Sequence, residues 1–160
     1  MSNSQPLESL QKSHHIAIKE IYVSSINSLG KEYYTKEQIQ AWSSLAWLPE
    51  LFEPSLQDGK GWITRDNGVI AAFAVRYPTN RLALLYCRPC FARKGHATTL
   101  IKKIEQEAED DGNKYLFTEA SFFSYPLLKK LGWTVVSPEV IQIGGINFNR
   151  YLMEKRFNGF

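Results

Sequence analysis

Long apolar runs are missing from this sequence. Ser13-His14-His15 and Lys19-Glu20 break up the first 30 residues. No stretch there is expected to serve as a signal peptide or as a membrane-spanning helix, which needs about 20 consecutive apolar residues. Cysteine is scarce: Cys87 and Cys90 are the only two in 160 residues, a usage suited to a reducing compartment, so cytoplasmic is the expected location. Charge of one sign is not in excess either. The formal net charge of +3 is too small and too dispersed for a nucleic-acid-binding face. Internal repeats, low-complexity tracts and linkers rich in Pro, Gly or Ser are absent, which argues for one domain over residues 1–160. What remains is 44% apolar and 22% charged, the balance of a soluble globule long enough to bury a core.

The pattern along the chain is mixed α/β. Leu7 to Leu29 carries Leu10, His14, Ala17, Ile18, Ile21, Tyr22 and Ile26 at helical spacing, with Gly30 as a C-cap. Thr35 followed by Gln38 reads as a capping box opening a helix through Ile39, Trp42 and Leu45. Pro49 and Pro54 are expected to interrupt the segment after that helix. Gly61–Thr64 and Val69–Val75 read as strands joined by the tight turn Asp66-Asn67-Gly68. Leu82–Cys87 is the next strand, and Tyr115–Thr118 another. Phe122–Leu131 reads as a short helix closed by Gly132, and Trp133–Val136 and Ile146–Met153 as final strands around Gly144-Gly145. Met1 to Ser13 has little β character, so no strand is assigned there.

The densest signal lies between the Leu82 strand and the next helix. Pro89 stops the strand, and the basic loop Ala92-Arg93-Lys94-Gly95 runs directly into a helix with apolar positions at 97, 100, 101, 104 and 108. Free N–H groups at a helix start, the helix dipole and the charges of Arg93 and Lys94 together make an anion cradle, read as a pyrophosphate site.

These residues resemble the GNAT N-acetyltransferases. Ala92-Arg93-Lys94-Gly95-His96-Ala97 is similar to the family's acetyl-CoA motif, Q/R-x-x-G-x-G/A. Pro89 stands six residues before Gly95, and Lys129-Lys130-Leu131-Gly132-Trp133 resembles the family's F-Y-x-K-x-G-F segment. Tyr34 to Trp42 is similar to the second-helix signature of a branch of small bacterial acetyltransferases. Ala92 departs from the family's Gln or Arg, and Leu128 stands where many members carry a catalytic tyrosine.

The resemblance implies a GNAT-like α/β fold, with a mixed, mostly antiparallel sheet splayed at the acetyl-CoA site and flanked by helices. It implies acetyl-CoA as cosubstrate, direct transfer to an amine of a small molecule or peptide, and no metal. It also implies that backbone groups of Tyr86, Cys87 and Arg88 pair with pantetheine. The diphosphate would rest on Arg93, Lys94, Gly95, His96, Ala97 and Thr98, and an N–H near Cys87 would stabilise the oxyanion. His96 is expected to face solvent or phosphate. Tyr125, one turn before Leu128, is the candidate general acid, with Ser121 and Ser124 as an alternative relay. Glu119, at the end of a strand beside the splay, is the candidate base. Tyr33 and Tyr34 are candidate acceptor-pocket residues among Trp42, Trp47, Phe52 and Trp62, with Trp42 read as core. Homodimers are common in the family.

Two rival readings stand beside this one. Cys87-Arg88-Pro89-Cys90 has the C-x-P-C pattern of a thiol redox site, although the helix is expected to begin near Lys94, beyond both thiols. Two cysteines and His96 lack a fourth ligand for zinc. The leucine at position 128 also keeps open a non-catalytic acyl-CoA sensor.

Overall fold

Thr35 shows how local sequence signals become structure here. Its side chain accepts a bond from Gln38 N at 3.1 Å, while Gln38 Oε1 accepts from Thr35 N at 2.9 Å, so the expected capping box forms. It opens α2 (Lys36–Ser43). Thr35→Ala should cost about 1 kcal/mol, lowering the melting midpoint by roughly 2–4 °C in a chain of this size; differential scanning calorimetry checks it.

The computed structural model describes residues 6–29, 32–47 and 49–158. Gly30 and the side chains of Trp47 and Phe52 lie outside the described residues. Strand β1 (Leu7–Ser9) is followed by α1 (His15–Asn27), α2, α3 (Pro49–Asp58), and then the meander β2 (Lys60–Asp66), β3 (Val69–Arg76) and β4 (Leu82–Cys87). Next come α4 (His96–Asp110), β5 (Tyr115–Ala120), α5 (Tyr125–Lys130), β6 (Thr134–Ile143) and β7 (Ile146–Arg156). The strands form two sheets, ordered β1-β2-β3-β4 and β5-β7-β6. Asn67 and Gly68 both take positive φ, 52° and 81°, the twist that a two-residue hairpin between β2 and β3 requires.

Core packs on both faces of the first sheet. On one side Ile18, Ile21, Tyr22 and Ile26 of α1 meet Ile63, Phe73 and Val75. On the other, Leu100, Ile101 and Ile104 of α4 meet Ala72, Ala74 and Leu82, with Trp133 and Met153 closing the cluster. Among the described residues no helix is long and apolar enough to cross a membrane.

Three expectations need correction. A first strand exists: β1 pairs antiparallel with β2 (Leu7↔Thr64 to Ser9↔Trp62), and Arg65 Nε donates to Glu8 Oε1 at 2.6 Å. All three of its residues are exposed, so backbone pairing and the Glu8–Arg65 ion pair hold it without a buried side chain, and it has no alternation to read. The first helix accordingly starts at His15, not near Leu7. Pro49 and Pro54 do not interrupt the chain: α3 starts at Pro49, where a missing N–H costs nothing, and continues through Pro54.

Candidate functional site

The expected splay lies between parallel neighbours β4 and β5. They touch at the bridge Arg81↔Phe117, where Phe117 N donates to Asn80 O at 2.9 Å and Thr118 Oγ1 to Leu82 O at 2.7 Å. Beyond Leu82 no ladder joins them among the described residues. Val75 pairs with Leu84 and Arg76 with Leu82, so Ala83 is a bulge that bends β4 at the point of parting.

A cavity of about 670 Å³ fills the gap. Its walls are Leu82, Ala83, Leu85, Tyr86 and Cys87 of β4, Thr118 and Glu119 of β5, and Leu127 and Leu128 of α5. It runs to the loop before α4, through Phe91, Ala92, Arg93, Gly95, His96, Ala97 and Thr98. A second chamber of about 210 Å³ adjoins it, sharing Trp42, Ala83, Tyr86, Glu119 and Ser121.

The cradle is built by backbone conformation. Gly95 caps α4 at φ 89°, and Arg93 also takes positive φ, 63°. The first bond of the helix runs from Thr99 N to Gly95 O at 3.0 Å, which leaves the N–H groups of His96, Ala97 and Thr98 without intrahelical acceptors. A Cβ on Gly95 would meet nothing within 4 Å, so the backbone there lies open to a ligand.

Two side chains of the loop do not take their expected places. Lys94 is not on the cavity wall: its Nζ lies 3.7 Å from Asp66 Oδ2 and 5.3 Å from the Phe91 ring centre. His96 faces neither solvent nor phosphate but is 1% exposed. Its Nδ1 is 2.8 Å from Thr64 Oγ1 and its Nε2 3.3 Å from Asp66 Oδ2. Asp66 therefore holds the residues on both sides of Gly95 against the β2–β3 turn, and His96 offers the cavity its backbone N–H.

On β4 the backbone divides its donors. Arg88 N donates to Ala71 O at 2.8 Å and Arg88 Nε to Ile70 O at 2.7 Å, so Arg88 is committed to β3 and lines neither cavity. Alternation along a strand then turns the Cys87 N–H the other way, toward the gap. Cys87 is half-buried and Cys90 exposed, both as free thiols. Burial, reinforced by Cys90 and Asp66, pushes the Cys87 thiol up to about 11, the opposite of a thiol activated for redox work. With α4 starting at His96, neither sulfur sits at a helix start. Iodoacetamide at neutral pH should alkylate Cys90 well before Cys87, whose rate should climb about tenfold per pH unit toward pH 11; peptide mass mapping reads both.

Around the transfer point, Glu119 lines both cavities, and Arg81 Nε donates to its Oε2 at 3.0 Å. Tyr125 lines neither; its ring packs 4.9 Å from Tyr151. Positions three apart on a helix differ by about 60° in direction, and in this short helix it is Leu128 that is buried against the cavity. Ser121 and Ser124 both reach the cavity, their hydroxyls 3.1 Å apart. Ser121 Oγ accepts from Ser124 N at 3.1 Å, capping the turn before α5.

Tyr34 is buried in the wall of the smaller chamber, its hydroxyl accepting from Phe122 N at 2.9 Å. Burial raises its phenol pKa, as it does those of Tyr22 and Tyr86. Tyr33 is 50% exposed and lines neither cavity. Trp42 packs against the core as expected and also lines both cavities. Sequence reasoning missed Arg81, Ala83 and Arg150, which become neighbours of the site only through the register of the sheets. Among the described residues no cluster of three His, Cys, Asp or Glu side chains is arranged to hold a metal.

A profile of the family described as "Acetyltransferase (GNAT) domain" matches residues 31–155. The chain belongs to the GNAT acetyltransferase family. Among solved structures, a GCN5-related N-acetyltransferase from Rhodopseudomonas palustris is 26% identical, with TM-score 0.92 over 98% of both chains. PaiA N-acetyltransferase from Thermoplasma acidophilum, solved with coenzyme A, is 17% identical, with TM-score 0.73 over 96% of this chain and 99% of that one. The yncA structure from Salmonella typhimurium, solved with its cofactor acetyl-CoA, is 16% identical, with TM-score 0.67 over 98% of this chain and 96% of that one. These last two likenesses speak for the GNAT fold alone. No curated protein matches the sequence significantly.

Proposed function

We propose that this GNAT chain acts as one domain that transfers the acetyl group of acetyl-CoA directly to an amine of a small molecule. The observation that carries the reading is the continuous path from the β4–β5 gap to the open backbone at Gly95. Pantetheine fits the gap as an added strand against the outward N–H of Cys87. The diphosphate fits the N–H groups of His96, Ala97 and Thr98, with Arg93 beside them.

The acceptor enters through the smaller chamber, and the two cavities meet at Glu119. Glu119 takes a proton from the ammonium, directly or through water, and the nitrogen lone pair forms the C–N bond. Charge then develops on the carbonyl oxygen facing the Cys87 N–H, a preorganised donor of a kind worth about 3–4 kcal/mol elsewhere. The C–S bond breaks, the nitrogen gives its second proton to water, and the thiolate takes a proton from the Ser121–Ser124 hydroxyl pair, which that water reprotonates. Tyr125 packs away from the gap, whereas both serines line it, which supports them as the donor.

Calorimetric titration with acetyl-CoA, CoA and NADH tests the reading. Micromolar binding of the first two and none of NADH is expected, with thiol release once amines are added. No binding of acetyl-CoA overturns it, and binding with no turnover on any amine leaves an acyl-CoA sensor.

A further inference from the structure

We infer that the acceptor is a small amine that also carries a carboxylate beside an apolar side chain, with Arg150 gripping the carboxylate while Glu119 takes the amine. The inference rests on the acetyl-transfer reading and concerns the 210 Å³ chamber. That volume is below the roughly 300–1,000 Å³ of drug-sized sites, so a compact acceptor fits and a folded peptide does not.

Three charged side chains line the chamber: Arg81, Glu119 and Arg150. Among the described residues Glu119 is the single carboxylate on the wall, which suits one ammonium and leaves a polyamine's further charges without partners. The phenols around it supply no second anion, because burial keeps the hydroxyls of Tyr22, Tyr34 and Tyr86 protonated. Arg81 is paired with Glu119 and Arg150 with Glu139, so what the wall offers an acceptor's anion is not excess charge but the N–H donors these pairs leave free.

Arg150 is placed to hold that anion. Its Nε donates to Glu139 at 2.9 Å, which fixes the guanidinium, and no other described residue bonds its Nη1 and Nη2. A carboxylate accepts that remaining edge in the paired geometry arginine favours. Sheet register supports the spacing. Glu119 faces Leu152 across β5–β7, and Arg150 stands two residues along on the same face, as does Phe148 beyond it. One face thus presents a carboxylate, a guanidinium and an apolar wall, partners for the amine, carboxylate and side chain that an amino acid carries on a single carbon.

Matched pairs of acceptors test this: L-phenylalanine against 2-phenylethylamine, and L-leucine against isopentylamine. Acetylation is monitored by CoA release, and binding of the same four compounds to the CoA complex by calorimetry. The carboxylate-bearing member of at least one pair should be favoured by about 10-fold or more in kcat/KM and in affinity, in line with a hydrogen bond to a charged group. Arg150→Met should erase that preference and leave acetyl-CoA affinity unchanged; Arg150→Lys should keep part of it. Equal or better use of both decarboxylated amines by the wild type overturns the inference, as does a preference that survives Arg150→Met. If acetyl-CoA binds and none of the four is acetylated while some other amine is, the inference is overturned; if no amine at all is acetylated, the transfer reading is what fails. The calorimetric comparison then decides the carboxylate preference by itself, and equal binding overturns it.

Discussion

Gly95→Trp should weaken acetyl-CoA binding by at least about 100-fold, or roughly 2.7 kcal/mol, and yet leave a folded protein. The loss comes from blocking the approach of a diphosphate to the N–H groups of His96, Ala97 and Thr98. Hydrogen bonds to charged groups are worth about 1.5–3 kcal/mol each, so losing two suffices. Folding survives because a Cβ at Gly95 has open space around it, with no heavy atom within 4 Å. The remaining cost is backbone strain at φ 89°, about 1–2 kcal/mol for a non-glycine residue, against a typical total stability of about 5–15 kcal/mol. Gly95→Ala separates the two effects, since it carries the strain with little of the block. Its melting temperature should fall with that of Gly95→Trp while most of its affinity remains. Calorimetry and a thermal melt read both variants. Full affinity in Gly95→Trp would remove the cradle from the binding site.

What could be read from the sequence was whatever neighbouring residues decide among themselves. Thr35 and Gln38 are three apart and satisfy each other, Asn67-Gly68 closes its own hairpin, and the Leu82–Cys87 strand and the Gly95 helix start lie within one short stretch. The fold class came from the order of such pieces. The misses share the opposite property. Strand β1 buries no side chain and exists because β2 offers it a partner 50-odd residues away, Leu7↔Thr64. His96 sits inside a basic loop and reads as a ligand-facing residue; Thr64 and Asp66, brought in by the β2–β3 hairpin, turn its ring inward. Lys94 turns to the same carboxylate. Tyr125 and Leu128 share a helix face in outline, but Tyr151 of β7 holds the tyrosine ring away from the cavity. The candidate acceptor chamber was the least legible part. Its wall comes from α1, α2, β4, β5 and the β6–β7 hairpin together, and no segment of the sequence announces that meeting.

Glu119→Gln should lower kcat by about 100-fold or more, within the 10²–10⁴ that a positioned base contributes, with acetyl-CoA affinity unchanged. The competing account is that Glu119 only anchors Arg81, whose Nε it accepts at 3.0 Å. Arg81→Met distinguishes the two. If anchoring is the whole role, Glu119→Gln, Arg81→Met and the double variant lose the same amount, because all three break one pair. If Glu119 takes the proton, Glu119→Gln falls much further than Arg81→Met, and the Arg81→Met loss lies mainly in KM for the acceptor, whose chamber Arg81 lines. A second readout is independent of the ion pair. Without a base, only acceptor that is already neutral reacts, so Glu119→Gln activity should rise about tenfold per pH unit until the acceptor's own amine titrates, near 10 for an alkylamine and somewhat lower for a free amino acid. The wild type, which deprotonates bound ammonium, should rise less steeply over the same range. Parallel pH profiles for the two proteins would assign the proton to solvent and leave Glu119 as the residue that holds Arg81 in the wall of the chamber.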